Sequence, residues 1–325
     1  MRVLVAPDSF KGTFSAAQVA AAIGAGIETA GDRAVQCPLA DGGEGTMAVL
    51  AAARGGDERT ATVADPLGRP VSAAFALIDQ GQIAVVETAA ASGLHHVRPS
   101  PEAALAASTA GTGELLVAAA RSGARDILLG LGGSATTDGG AGAIAAIAAG
   151  GGLGDVQLEL LCDVVTPYED AAAVFAPQKG ADAAAVGKLT ARLHAQASIL
   201  LRDPRGVPMT GAAGGLSGAL WASCGGRLVG GASRILDLVG FDGLLATVDA
   251  VVTGEGRLDA QTGEGKLVGE VVRRSRERRV PVHAVVGSLD AAGVDQTSFA
   301  SVTVASTRDE LLRAWPALRA GAARA

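Results

Sequence analysis

Cysteine, aromatic side chains and runs of positive charge are all scarce in this chain. Its 325 residues include three cysteines, Cys37, Cys162 and Cys224, which are odd in number, widely spaced and without a CxxC pair. Such usage builds neither a disulfide framework nor a zinc knuckle and fits a reducing, cytoplasmic setting. Aromatic residues are 3% of the chain, so helix faces must pack through small residues while Val, Leu and Ile fill the strands. The formal net charge is −6 and no basic stripe with interleaved aromatics is present, which argues against a nucleic-acid partner. The densest basic run, Arg273 to Arg279, is broken by Glu277 and reads as a solvated helix face.

Long apolar runs are missing too. Val3 to Ala6 meets Pro7 and Asp8, far short of a signal-peptide core. The uncharged stretch Gly206 to Gly226 has the length of a membrane span, but its glycines with Thr, Ser and Pro make it too polar for one. No membrane association is expected. Several catalytic signatures are likewise absent: no G-x-x-x-x-G-K-[ST], no HExxH and no G-x-S-x-G. His95 and His96 are adjacent and, in an extended segment, would point to opposite sides, while His194 and His283 stand alone. All four read as structural or exposed.

Glycine is what the chain has in quantity, 46 residues clustered at the ends of apolar runs. From Leu129 to Gly142 the sequence LGLGGSATTDGGAG carries an apolar strand pattern into glycines, small hydroxyls and one carboxylate. A turn of this kind presents backbone N–H groups at a helix start, which suits an anion. Variants recur as PLADGGEGT (Pro38 to Thr46), STAGTGELL (Ser108 to Leu116) and VVTGEGRLDAQTGEGK (Val251 to Lys266). Gly130-x-Gly132 opens a G-x-G-x-x-A pattern, the shape of a dinucleotide fingerprint. The Ser134, Thr136, Thr137 and Asp138 that follow favour phosphate and metal over NAD.

Hydrophobic periodicity gives an α/β chain. A strand at Val3 to Ala6 precedes a helix from Ser15 to Ala30, with Val19, Ile23 and Ile27 on one face and Ser15 with Gln18 as a capping box. A strand near Val35 to Leu39 and a helix from Gly43 to Ala53 continue the β-α-β-α start of a parallel sheet. Thr60 to Val63, Pro70 to Ile78 and Gln82 to Glu87, joined by short turns, then read as a meander in a different sheet. Strands at Asp126 to Leu131 and Leu158 to Val165 alternate with small-residue helices, and the parallel pattern resumes at Val251. Two domains are therefore expected: a discontinuous, Rossmann-like doubly wound parallel sheet from residues 1–57 and 245–325, and an inserted mixed α/β domain at 58–244.

In an open parallel sheet the ligand lies beyond the carboxyl ends of the strands, where strand order reverses. Asp8, Asp41, Glu255 and Gly287-Ser288 each follow a predicted strand there; any one of them alone reads better as a cap or a turn former, while the set favours a site. Cations for phosphate are offered by Lys11, Lys179 and Lys266, each of which could also be a surface lysine. The set points to phosphoryl transfer, which needs cations on the phosphates, a carboxylate- or water-held metal and a group near the acceptor hydroxyl.

The segments APDSFKGTFSA, PLADGGEGT, VVETAAASGL, STAGTGELL, LGLGGSATTDGGAG, CDVVTPYEDAAAVFAPQKGA, GAAGGLSGAL and VVTGEGRLDAQTGEGK resemble, in order, the signatures of bacterial type-1 glycerate kinases. The resemblance implies ATP- and Mg²⁺-dependent phosphorylation of (R)-glycerate, usually at the 2-hydroxyl, by a monomer or homodimer of two α/β domains with its site in the cleft. It places Lys11 and Ser9 on the glycerate or the transferred phosphoryl group, with Asp8, Asp41 and Glu44 nearby. Asp163 or Asp138 is the base or the metal-organising carboxylate. Gly132, Gly133, Ser134, Thr136, Gln178 and Lys179 line the phosphates, and Glu255, Asp259 and Gln261 complete the substrate side. The chain departs from the family in being shorter after Gly142 and in having Thr166 where asparagine is common. A kinase for another small hydroxy acid, and a non-catalytic binding protein on the same scaffold, remain the alternatives.

Overall fold

The computed structural model describes residues 1–259, 267–290 and 295–322, the side chains of 316–322 excepted. In chain order its strands are β1 (Arg2–Pro7), β2 (Arg33–Gln36), β3 (Asp57–Ala64), β4 (Pro70–Ile78), β5 (Ile83–Glu87), β6 (Asp126–Gly130), β7 (Gln157–Leu161), β8 (Arg227–Val229), β9 (Ala250–Gly254), β10 (Arg257–Leu258), β11 (Val282–Val286), β12 (Ser288–Leu289) and β13 (Ser301–Val304). They fall into two compact units, Met1–Asp41 with Ala232–Ala325, and Gly42–Gly231.

The first unit is built on a parallel sheet of order β13-β11-β9-β1-β2. Alternation along β1 decides what each face buries. Val3 and Val5 meet Val19, Ile23 and Ile27 of the helix Ala16–Thr29 together with Leu311 and Trp315. Leu4 and Ala6 meet Leu39, Leu236, Phe241 and Val271 on the other face. Each fully buried branched side chain of this kind stabilises the fold by about 1.5–3 kcal/mol. The helix starts where expected, with both halves of the Ser15/Gln18 capping box formed. Small residues let helices touch: a Cβ on Gly26 would stand 2.0 Å from the carbonyl oxygen of Leu312. Strand order reverses between β1 and β9, since the chain goes from β1 outward to β2 and from β9 outward through β11 to β13.

The second unit carries a mixed sheet of order β3-β4-β5-β6-β7-β8, antiparallel from β3 to β5 and parallel from β5 to β8. The meander is present, its first turn held by Asp65, whose Oδ1 accepts from the amides of Leu67 and Arg69. Leu115, Leu116, Ile127, Leu129, Leu160 and Leu216 belong to its main core. A smaller core gathers Tyr168, Leu189 and Leu193.

The unit boundaries fall at 41/42 and 231/232, where 57/58 and 244/245 were expected. Packing explains the shift. The helix Thr46–Arg54 lies on β4 and β5, which draws residues after Asp41 into the second unit. Ala232, Leu236, Phe241 and Leu245 share a core with Leu4 and Val251, which returns their segment to the first. No helix among the described residues is long and apolar enough to cross a membrane.

Candidate functional site

Two constellations stand at the carboxyl ends of parallel strands, one in each unit. In the first, the amide of Asp8 donates to Gly254 O at 2.8 Å, fastening the end of β1 to the end of β9 at the point of order reversal. The Asp8 side chain is 8% exposed. Its Oδ1 accepts from the Ser9 amide at 2.6 Å, and its Oδ2 accepts no hydrogen bond among the described residues. Burial, then the neighbouring charge of Asp41, raises its pKa to about 7, with Glu255 adding to the rise and Lys11 opposing it. Lys11 sits on a tight loop closed by Phe10 N to Phe14 O at 2.8 Å and anchored by the buried Phe10 ring. Its Nζ lies 3.5 Å from Asp41 Oδ2, and that carboxylate holds the ammonium above the ordinary lysine range. Backbones approach closely beside it, since a Cβ on Gly254 would come within 1.8 Å of Val285 O.

Asp8, Ser9, Lys11, Asp41 and Glu255 are thus brought together. Asp259, expected on the substrate side, faces Arg257 at 3.6 Å, and Arg257 also pairs with Asp290 at 3.0 Å. Gln261 and Lys266 lie outside the described residues.

In the second unit two glycine-rich loops meet. Leu131 N donates to Gly42 O at 3.0 Å. A Cβ on Gly132 would stand 2.7 Å from Gly43 Cα, and one on Gly130 would stand 2.8 Å from Gly42 O. Glu87, at the end of β5, accepts from the amides of Gly45 (3.0 Å) and Met47 (2.7 Å), fixing the start of the helix Thr46–Arg54. Glu44 is exposed, its Oε2 3.8 Å from where a Gly133 Cβ would lie, so it borders the Gly132-Gly133 turn. Gly133 has φ of 72°, a left-handed conformation that glycine adopts without strain.

Beyond the turn, the residues expected on phosphates hold one another. Ser134 Oγ accepts from the Thr136 amide at 3.0 Å and pairs with Thr136 Oγ1 at 2.8 Å. Thr136 is fully buried. Lys179, expected on a phosphate, is 4% exposed and donates from Nζ to Thr136 O at 2.5 Å, so it braces the loop from behind. Burial pushes its pKa down to about 7, against the pull of Asp138. Gln178 is exposed beside it.

Asp138, expected as a base or metal ligand, is engaged by its own loop and by Thr109. Its Oδ2 accepts from Thr109 N (2.8 Å), Thr109 Oγ1 (2.9 Å) and Gly142 N (3.1 Å), and its Oδ1 from Gly140 N (3.1 Å). A carboxylate so engaged is a clamp on the helix start that follows. Tyr168, fully buried, adds a bond from its hydroxyl to Gly139 O at 2.8 Å. Asp163 follows β7 on the same carboxyl edge and is half-buried, its Oδ1 3.9 Å from where a Gly230 Cβ would lie. Among the described residues no group of three or more His, Cys, Asp or Glu is arranged to hold a metal. The rings of His95 and His96 lie 4.0 Å apart, because Leu94–His96 is a tight turn and not an extended segment.

Glu87 and Thr109 are the residues that the sequence reading did not single out. The signal available was their place in VVETAAASGL and STAGTGELL, both of which carry the resemblance.

Comparison with known proteins gives the family. The profile of the glycerate kinase family matches residues 3–152 and 148–318, two stretches that meet where the helix Ala141–Ala149 gives way to a short turn. Glycerate 2-kinase of Escherichia coli K12 is 36% identical over an alignment of 356 positions, covering 96% of this chain and 93% of that protein. The alignment is longer than the chain, so the relative carries residues that are absent here. Glycerate kinase of Bacillus subtilis is 38% identical, covering 89% of this chain and 85% of that protein. A crystal structure of a Salmonella typhimurium LT2 protein designated glycerate kinase 2 superposes with a TM-score of 0.80 at 35% identity, covering 98% of this chain and 95% of that one.

Proposed function

The chain belongs to the glycerate kinase family, and on that premise we propose that it transfers the γ-phosphoryl group of ATP to the 2-hydroxyl of (R)-glycerate, giving 2-phospho-D-glycerate and ADP. The observation that carries the reading is the gathering of Asp8, Lys11, Asp41 and Glu255 where strand order reverses in a parallel sheet, the place such folds reserve for a ligand. There Lys11 supplies the positive charge for the acid's carboxylate or the transferred phosphoryl group, and Ser9 a short polar contact. In the second unit the amides of the Gly132-Gly133 turn, bordered by Glu44, are assigned to the nucleotide phosphates, with Gln178 assigned to them beside Lys179. Ser134, Thr136, Asp138 and Lys179 keep that turn in shape.

Mg²⁺ fits one of the two carboxylates first assigned to it. This ion keeps several waters and takes one or two carboxylates plus phosphate oxygens. Asp163, half-buried at the end of β7 on the carboxyl edge of its sheet, matches that demand. When bound, the ion would neutralise charge on the phosphates.

The test is ADP release with a panel of acids: (R)-glycerate, (S)-glycerate, tartronate and longer sugar acids. We expect kcat/KM to be highest for (R)-glycerate. A higher value for another acid reassigns the substrate, and calorimetric binding without turnover on any acid removes the kinase reading.

A further inference from the structure

We infer that Asp8 is the proton acceptor of the transfer, taking the hydroxyl proton of the bound acid on its Oδ2 as the new bond to phosphorus forms. The inference rests on the glycerate kinase reading and assigns a role that the resemblance gave to Asp163 or Asp138.

Geometry separates Asp8 from the other carboxylates. It is fixed at both ends, its amide bound to Gly254 O at 2.8 Å and its Oδ1 to the Ser9 amide at 2.6 Å, so the direction of Oδ2 is set. Asp41 is engaged by the Lys11 ammonium at 3.5 Å, which holds its Oδ2 on that cation. Asp138 accepts four donors from its own loop and from Thr109. Asp8 is 8% exposed, enough to reach a bound ligand and little enough to be starved of water. The charged groups facing it are Asp41 from beyond β2, Glu255 from beyond β9 and Lys11 from its own loop. Two like charges and burial increase its appetite for a proton, and the single cation moderates it. A proton acceptor that titrates near the working pH is the efficient kind.

The step balances without a further reagent. The glycerate O–H bond breaks and its proton passes to Asp8 Oδ2. The oxygen forms a bond to the γ-phosphorus, the bond from that phosphorus to the β,γ-bridging oxygen breaks, and ADP leaves with the electron pair. Asp8 then returns the proton to solvent.

Full-length wild type, Asp8→Asn, Asp8→Glu, Asp41→Asn and Lys11→Met are compared by the pH dependence of kcat/KM for (R)-glycerate, with folding checked by thermal melting. Wild type should show an acid limb. Asp41→Asn should move that limb to lower pH by removing a like charge, and Lys11→Met should move it to higher pH by removing the cation. Asp8→Asn should lower kcat by about a thousandfold, within the range general-base removal gives, while KM changes by a few-fold. Asp8→Glu should recover part of the rate and keep a limb. A folded Asp8→Asn enzyme with more than a tenth of wild-type kcat, or limbs that stay in place in both charge variants, overturns the assignment while the kinase reading stands. Wild type that leaves glycerate unphosphorylated overturns the kinase reading and this assignment with it.

Discussion

The amide of Leu131 donates to the carbonyl of Gly42 at 3.0 Å, and through this bond two glycine-rich loops distant in sequence share one backbone surface. Gly132 stands at the closest approach, where a Cβ would lie 2.7 Å from Gly43 Cα. Backbone cannot yield as a side-chain tip can. Gly132→Ala is therefore expected to destabilise the fold by about 1–3 kcal/mol, the usual cost of overpacking. It should also raise the KM for ATP at least tenfold, measured by urea unfolding and steady-state kinetics. An unchanged KM in folded protein would detach the loop from nucleotide binding.

Lys179 gives a prediction with a definite sign in pH. Its pKa in the fold is about 7, below the ordinary lysine value of 10.5 that holds in the unfolded chain. Between these values the unfolded state binds more protons, so stability rises with pH across this window, and the full penalty of the buried charge is carried below about pH 7. Lys179→Met removes the penalty but also the brace on Thr136 O. The difference in Tm between wild type and variant should turn in favour of wild type as pH is raised from 6 to 9, with the variant's KM for ATP higher at every pH. A difference that does not vary with pH would show that the lysine titrates normally.

Asp8 behaves in the opposite sense. The native carboxyl holds its proton to about pH 7, whereas the unfolded one releases it near 3.8. Its burial thus costs stability that grows from pH 4 to 7 and is fully present above. Asp8→Asn should unfold later than wild type at pH 8, by about 1–3 kcal/mol at 1.36 kcal/mol per pKa unit after discounting for charge coupling. The same variant is expected to be the least active, a trade of stability for function. A lower Tm at pH 8 would contradict the strain assigned to this group.

Asp163 is the carboxylate proposed for magnesium. Asp163→Asn is expected to lower kcat about a hundredfold or more and to raise the Mg²⁺ concentration needed for half-maximal rate, the loss expected when a positioned metal is disturbed. Titration of activity with Mg²⁺ reads both. Near-normal rates with unchanged Mg²⁺ dependence would remove Asp163 from the mechanism.

The strand-end acids were legible in the sequence because a parallel sheet sends its ligand to one edge whatever the side chains are. Asp8, Asp41 and Glu255 follow from that rule once β1 and β9 are recognised. The part of Asp138 was not legible. An aspartate after a glycine turn looks the same whether it faces a ligand or the amides of its own loop, and the deciding donor, Thr109, is 29 residues away. The burial of Lys179 was not legible for a related reason. Its burial depends on the packing of the turn Pro177–Lys179, where a Cβ on Gly180 would stand 2.3 Å from Ser100 N. Glu87 had to wait for the pairing of β5 with β6, which sets it opposite Gly130 and within reach of the Gly45 amide. Domain boundaries shifted because helices are claimed by the sheet they cover, and periodicity alone does not say which sheet that is.

Phosphorus NMR of the product formed from ATP, Mg²⁺ and (R)-glycerate tests the central claim most directly. The expected spectrum holds the resonance of 2-phosphoglycerate alongside that of ADP. A 3-phosphoglycerate resonance would contradict the position of transfer, and the absence of any phosphoglycerate from demonstrably folded protein would contradict the glycerate kinase reading itself.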